Sequence, residues 1–365
     1  MLQKLTSVRF SYGQHEPSAV FDLRRLLGQL ISTVAYCNLD ATLLVGSNNQ
    51  PNSTTNRPAI LPASHWRSIP VDDNNDADSH LSESGSNASS TTSLRESLLE
   101  YRKLFGRTYH HELGQAESWL PNDEKHAASM ELAHYAAILM TDSKLFLAPL
   151  DTNKSLKVLD LGTGTGHWAI DFADQYPSAD DWSWPDNTFD FIYVRFLTGC
   201  ILDWGHFYRE AFRCLKPGGW LEHFEIGISW QSENPGGITP ESPIGQMVQL
   251  FTEAGEKTGR TFRIVDDGLQ TKYMKETGFV ELGERDIHVP HGAWMEDATM
   301  KQVGIILGEA LLEDLEGYTM YVFTAINGWA EEGARALTAH IRSHFKRPGL
   351  QAWVPRKVVW AKKPE

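Results

Sequence analysis

Apolar residues recur at helical spacing through Met130, Ala133, Ala137 and Met140, which predicts a helix from about Asp123 to Thr141 with Asn122 or Asp123 as its N-cap. The period then changes. Leu156-Lys157-Val158-Leu159-Asp160-Leu161 reads as a short apolar strand, Gly162-Thr163-Gly164-Thr165-Gly166 interrupts it, and a helical run follows from His167 to Tyr176. Strand, glycine loop and helix in that order open a doubly wound α/β sheet. Further strands are predicted at Phe189 to Val194 and Trp220 to Ile226, separated by a helix from Trp204 to Cys214 that Lys216-Pro217-Gly218-Gly219 ends. Helical patterns fill Pro243 to Thr258, Gly268 to Thr277, Ala298 to Leu315 and Glu331 to Phe345. A Val- and Trp-rich strand, Val354 to Ala361, closes the sequence and suits a sheet edge.

The N-terminal quarter reads differently. Asp72 to Ser93 is rich in Ser, Asn and Asp and nearly free of aliphatic side chains, so it buries too little apolar surface to offset its chain entropy. Ser93 followed by Glu96 resembles a capping box opening a helix from Leu94 to Phe105. Residues 1–93 are therefore expected to be a poorly structured extension, and residues 94–365 the folded domain.

Charge narrows the function. Lys and Arg number 33 against 47 Asp and Glu, a net charge of −14, which gives no global attraction to nucleic acid or to an anionic membrane. No stretch reads as a transmembrane helix or a secretory signal. The expectation is thus a protein with no nucleic-acid or membrane partner, in the cytoplasm or the nucleus. Cys37, Cys200 and Cys214 lack the spacing of a disulfide framework or a zinc site, and no metal is expected.

The sharpest chemistry lies in Asp160-x-Gly162-x-Gly164-x-Gly166. Glycines let the backbone turn tightly and approach a ligand where a Cβ would collide. The dinucleotide fingerprint is GxGxxG, whereas this loop reads GxGxG with an acid two residues ahead. A carboxylate beside the loop repels a pyrophosphate and attracts a cation. S-adenosylmethionine, with a sulfonium and an ammonium, suits it, and the candidate cofactor contacts here are Asp160, Gly162, Thr163, Gly164 and Gly166. A nicotinamide oxidoreductase is disfavoured by the same spacing.

The stretches VLDLGTGTGHWAIDFADQYP, PDNTFDFIYVRFL, EAFRCLKPGGWLEHFE, VDDGL, DLEGY and RKVVWAKKPE resemble the fungal LaeA-like S-adenosylmethionine-dependent methyltransferases of secondary metabolism. The resemblance begins near Pro70 and runs to the C-terminus. It implies a class I methyltransferase fold, a Rossmann-like doubly wound sheet with extra N- and C-terminal helices. It also implies a methyl acceptor, a small metabolite or a protein, that no motif specifies.

In such enzymes the segment carrying Tyr109-His110-His111 and Trp119 folds over the cofactor, so Tyr109 and Trp119 are candidates to cover the sulfonium. Arg195 and Glu225 fall at carboxyl ends of strands, where the crevice opens, and Arg195 joins the candidate cofactor contacts. Methyl transfer from a sulfonium needs no dedicated base, and no catalytic residue is assigned.

Only about a dozen residues separate the helix ending near Tyr176 from the strand at Phe189. Compared with the family, a block of roughly 25 to 30 residues is missing, carrying the second strand, its ribose-binding acid and most of the third. Asp180 or Asp181 is the candidate substitute for that acid, and Asp181 falls on the adenine side. Right-handed crossovers would then require the glycine-loop helix on the opposite face from usual, with the first strand at an edge. This shortening supports an alternative reading, a degenerate methyltransferase fold acting as a regulatory or interaction protein with a protein partner.

Overall fold

The computed structural model describes residues 58–71, 101–110, 117–168 and 185–365. They open with helix α1 (Ala63–Ser68) and a hairpin of β1 (Arg102–Leu104) and β2 (Arg107–Tyr109). Leu104 pairs Arg107, which leaves Phe105 and Gly106 as a two-residue turn with φ of 51° and 77°. Two left-handed residues in succession match the twist of a tight hairpin. The helix expected over Leu94 to Phe105 is therefore corrected at its C-terminal end, because the Phe-Gly turn reverses the chain there. Its first seven positions lie outside the described residues.

Helix α2 (Glu124–Met140) starts as the sequence predicts, with the Asp123 side chain accepting from the His126 N–H. Three strands then run parallel and adjacent: β3 (Val158–Leu161), β4 (Phe189–Arg195) and β5 (Leu215–Ile226). Beyond β5 the sheet continues with β8 (Ala352–Lys362), antiparallel to β5, to β7 (Val280–Pro290) and to the two-residue β6 (Gln231–Ser232). The closing strand is thus interior, a correction to the expected edge. Its Val354, Val358, Val359 and Ala361 are all buried. The outer place falls to β7, whose charged residues and Gly283 hid it from pattern reading.

Two layers of helix cover this sheet. On one face α3 (Trp204–Cys214) and α5 (Leu269–Thr277) pack over Leu159, Ile192, Val194, Leu221 and Val359. On the other, α2 and α6 (Ala298–Glu313) pack over Phe224, Val354 and Val358. A third cluster joins α4 (Pro243–Thr258), α7 (Leu315–Tyr321) with its π-helical continuation Val322–Ile326, and α8 (Glu331–Phe345). No helix among the described residues is long and apolar enough to cross a membrane.

The start of the segment after the glycine loop is informative. The steps β3 to β4 and β4 to β5 advance in one direction, so two right-handed crossovers would share a face. Helix α3, between β4 and β5, lies on the first face. Trp168 lies on the second: its ring stacks on Tyr193 at 4.0 Å and 6°, and its Nε1 donates to the Leu145 carbonyl at 2.8 Å. The chain leaves β3 on the face suited to strands beyond β3, although β3 pairs only β4 among the described residues. The expected switch of face is not seen at Trp168. The remainder of the helix expected to Tyr176, and the connection with Asp181, lie outside the described residues.

The expected domain start also moves. Trp66 in α1 is 4% exposed, and its carbonyl meets His340 Nε2 at 3.0 Å. Leu61 N–H donates to Gln246 Oε1 at 2.5 Å, and Gln246 Nε2 donates to the Ala59 carbonyl at 3.2 Å. Residues 58–71 thus pack on the folded domain, ahead of the expected start at Leu94. Trp66→Ala is expected to cost about 3 to 5 kcal/mol in urea unfolding. A loss below about 0.5 kcal/mol, the scale of a neutral surface change, would contradict this docking.

Candidate active site

The glycine loop is exposed at the carboxyl end of β3, and Gly162, Gly164 and Gly166 have φ of 80°, 57° and 82°. A Cβ on Gly162 would fall 2.6 Å from Leu197 Cδ2, two residues beyond β4. A Cβ on Gly164 would meet nothing closer than the Gly162 carbonyl oxygen at 3.8 Å. The loop therefore packs against the neighbouring strand end on one side and offers open space on the other. Thr163 Oγ1 donates to the Asp160 carbonyl at 3.0 Å, and Gly166 N–H donates to the Thr163 carbonyl at 2.9 Å, which closes the turn.

Asp160 lies opposite Tyr193 in the parallel register, on the face that α2 covers. Burial pushes its carboxyl up to about 6, while the Arg195 guanidinium and the Thr163 hydroxyl pull it down. Arg195 ends β4 and places Nη1 3.1 Å from Nδ1 of His134, a buried residue of α2. Because guanidinium only donates, His134 Nδ1 is the acceptor and its ring proton sits on Nε2. The His134 ring stacks on His167 at 5.8 Å, and His167 Nδ1 lies 2.6 Å from Thr165 Oγ1. Strands β3 and β4, helix α2 and the segment after the glycine loop thus bring Asp160, Arg195, His134 and His167 together. Sequence reasoning missed His134, whose only signal is its place on the inward face of α2.

The Glu225 carboxylate turns away from the crevice. It accepts from Leu197 N–H at 2.5 Å, Thr198 Oγ1 at 2.8 Å and Ile226 N–H at 3.2 Å, and its Oε1 lies 3.1 Å from His223 Nε2. It is a positioning residue that fixes the loop after β4. Buried Glu222, in line with Asp160 and Tyr193 across the sheet, accepts from Leu147 N–H at 2.7 Å and Ala148 N–H at 2.6 Å. Burial raises its carboxyl to about 8, so it is mainly protonated at neutral pH.

Tyr109 and Trp119 are both buried. Tyr109 packs on Tyr321 with centroids 5.3 Å apart. Trp119 meets Phe251 at 5.4 Å and Phe262 at 5.2 Å edge to face, and its Nε1 donates to the Thr198 carbonyl at 2.8 Å. Trp119 thereby reaches the loop that rests on Gly162. His110 is exposed, whereas His111 and Asp181 lie outside the described residues. Among the described residues no group of three His, Cys, Asp or Glu could hold a metal ion.

A model of the methyltransferase domain matches residues 132–255, which contain the glycine loop and all three parallel strands. Methyltransferase pytC of Aspergillus terreus is 31% identical over 76% of this chain and 92% of the relative. The chain belongs to the LaeA-like family of S-adenosylmethionine-dependent methyltransferases. The secondary metabolism regulator laeA of Aspergillus fumigatus is 26% identical, covering 71% of this chain and 76% of its own. Among solved structures, a phosphoethanolamine N-methyltransferase 2 of Haemonchus contortus aligns over 64% of this chain and 53% of its own at 16% identity, with a TM-score of 0.37. That likeness is too slight to add to the class I fold, which rests on the parallel β3, β4 and β5, the antiparallel β8 and the family match.

S-adenosylmethionine is the cofactor of this LaeA-like methyltransferase, and the loop fits it: positive φ at three glycines, open space at Gly164 and a carboxyl at the strand end. Ionised Asp160 attracts a cation, so cation binding favours loss of its proton. Affinity for S-adenosylmethionine, followed by calorimetry, is expected to fall as the pH is lowered through about 6. Asp160→Asn should bind more weakly at pH 7.5 and lose that dependence. An unchanged pH profile in the variant would contradict the role of this carboxyl.

Proposed function

We propose that this LaeA-like protein transfers the methyl group of S-adenosylmethionine to an acceptor of fungal secondary metabolism, a small metabolite or a protein. The open space above Gly164, beside Asp160 and Arg195, carries this reading. Gly162, Thr163, Gly164 and Gly166 present backbone to the cofactor, Asp160 faces its cationic part, and Arg195 faces its carboxylate. Trp119 and Tyr109 hold the lid in place over the crevice, and Asp181 takes the adenosine side. When bound, the cofactor supplies an electrophilic methyl carbon on a sulfonium. The protein's own contribution is to align the acceptor and exclude water, so no general base is assigned. The cytoplasm and the nucleus both suit the reading.

A second reading, an interaction or regulatory protein on the same fold, is favoured by one observation: β3 pairs on one side only among the described residues. The relative named as a secondary metabolism regulator is in keeping with it. Calorimetry with S-adenosylhomocysteine separates the two. Wild-type protein is expected to bind, and Gly164→Val to bind at least about tenfold more weakly, because its side chain would fill the cofactor's space. Equal binding by both overturns the cofactor site, and no binding by wild type favours the regulatory reading.

A further inference from the structure

Arg356 belongs to the RKVVWAKKPE run, which methyl transfer leaves without a role. It stands opposite Ile226, the last residue of β5, and so lies at the carboxyl end of the parallel strands. The register puts it on the face of Phe224 and Val358, under α2 and α6. Its side chain belongs to a residue 9% exposed, and its Nε and Nη1 are buried with no hydrogen-bond partner in the protein. Buried guanidinium groups are ordinarily paired, because an uncompensated buried charge is costly.

The neighbours do not supply the missing partner. Burial draws the Arg356 guanidinium down to about 10; Tyr318 and Glu225 oppose this, and Arg195 adds repulsion. The Tyr318 hydroxyl is engaged with Ser129 Oγ at 2.8 Å, and Glu225 with the loop after β4. Arg356 and Arg195 each place their guanidinium carbon 5.2 Å from the centroid of the Phe196 ring. Phe196 is held at φ of 59°, a conformation that non-glycine residues rarely adopt. Two cations thus share one ring, in a chain of net charge −14.

We infer that Arg356 seats a carboxylate of the methyl acceptor, so that the acceptor is an organic acid bound beside the Arg195 end of the crevice. A planar guanidinium whose Nε–H and Nη1–H have no partner in the protein keeps donors that a carboxylate can take up. The inference deepens the methyltransferase reading and rests on it. The same chemistry could come from the carboxylate of the cofactor's methionine portion, and the test separates the two sources.

Full-length wild-type and Arg356→Met proteins are first titrated with S-adenosylhomocysteine and with decarboxylated S-adenosylmethionine. Failure of wild type to bind either would strike the cofactor reading alone. The S-adenosylhomocysteine-loaded proteins are then titrated with 3-phenylpropanoate and with 3-phenylpropanamide, as an acid and its neutral analogue. Wild type is expected to favour the acid by about tenfold or more, Arg356→Met to show no preference, and the affinity for S-adenosylhomocysteine to be unchanged. In anion-poor buffer Arg356→Met is expected to melt at or above the wild-type temperature, since it removes an unpaired buried charge. If the Met variant does not fold, Arg356→Lys keeps the charge, loses the planar fork, and should retain cofactor binding while losing the acid preference. Equal binding of acid and amide by wild type overturns the proposal. So does an Arg356→Met variant that binds S-adenosylhomocysteine more weakly while decarboxylated S-adenosylmethionine binds both proteins alike, which would assign the seat to the cofactor's carboxylate.

Discussion

The stack of Trp168 on Tyr193 fixes where the chain goes after the glycine loop, and the crevice depends on it. A ring pair 4.0 Å apart and nearly parallel, with the indole N–H committed to the Leu145 carbonyl, holds the residues after Gly166 against the second face of the sheet. That placement aims the loop at the carboxyl ends of β3 and β4. It also brings His167 onto His134 of α2, and through His134 onto Arg195. This face would suit a right-handed crossover toward strands beyond β3, as in a full doubly wound sheet, whereas a right-handed step from β3 to β4 would use the face that α3 covers. The chain keeps this departure although only about a dozen residues remain between the expected helix end and β4.

A second set of contacts holds the β1–β2 hairpin. Arg107 of β2 forms hydrogen bonds with both oxygens of Asp123, at 2.6 and 2.5 Å, and pairs with Asp314, which is fully buried and meets His126 Nδ1 at 2.9 Å. Asp314 sits between α6 and α7, and Asp123 caps α2, so one guanidinium ties the hairpin to three helices. Both carboxyls lie below the usual carboxylate range: burial pushes them up, and this is outweighed at Asp314 by the His126 ring and Arg107, and at Asp123 by Arg107 and the His126 N–H. Removing one member of such a network strands the others, typically at about 3 to 5 kcal/mol. Glu225 does comparable work at the crevice floor by holding the loop that carries Leu197 and Thr198.

Much of this was legible in the sequence, and the exceptions have physical causes. Helices α4 and α8 carry clear periodicity and span Pro243–Thr258 and Glu331–Phe345 as expected, and α2 begins at the expected Asp123 cap. The glycine loop announces itself because only glycines tolerate those φ values beside a strand end. Strand β7 did not, because an outer strand carries charges on its open positions and loses the apolar alternation that marks a strand. The hairpin was read as a helix because a capping signal is local, whereas the Phe105-Gly106 turn acts through pairing. His134 and Arg356 were invisible for another reason. Each is an ordinary position on its own element, and only the packing of α2 on the sheet and the register of β8 on β5 bring them to the crevice.

The proposed cofactor seat lies at the ends of β3 and β4, despite the short connection between them. A crystal structure of the full chain grown with S-adenosylhomocysteine tests it most directly. The prediction is electron density for the homocysteine portion above Gly164, between Asp160 and Arg195, with the Trp168 stack on Tyr193 retained. Saturating ligand with no density at the loop, or density at another part of the domain, would contradict it.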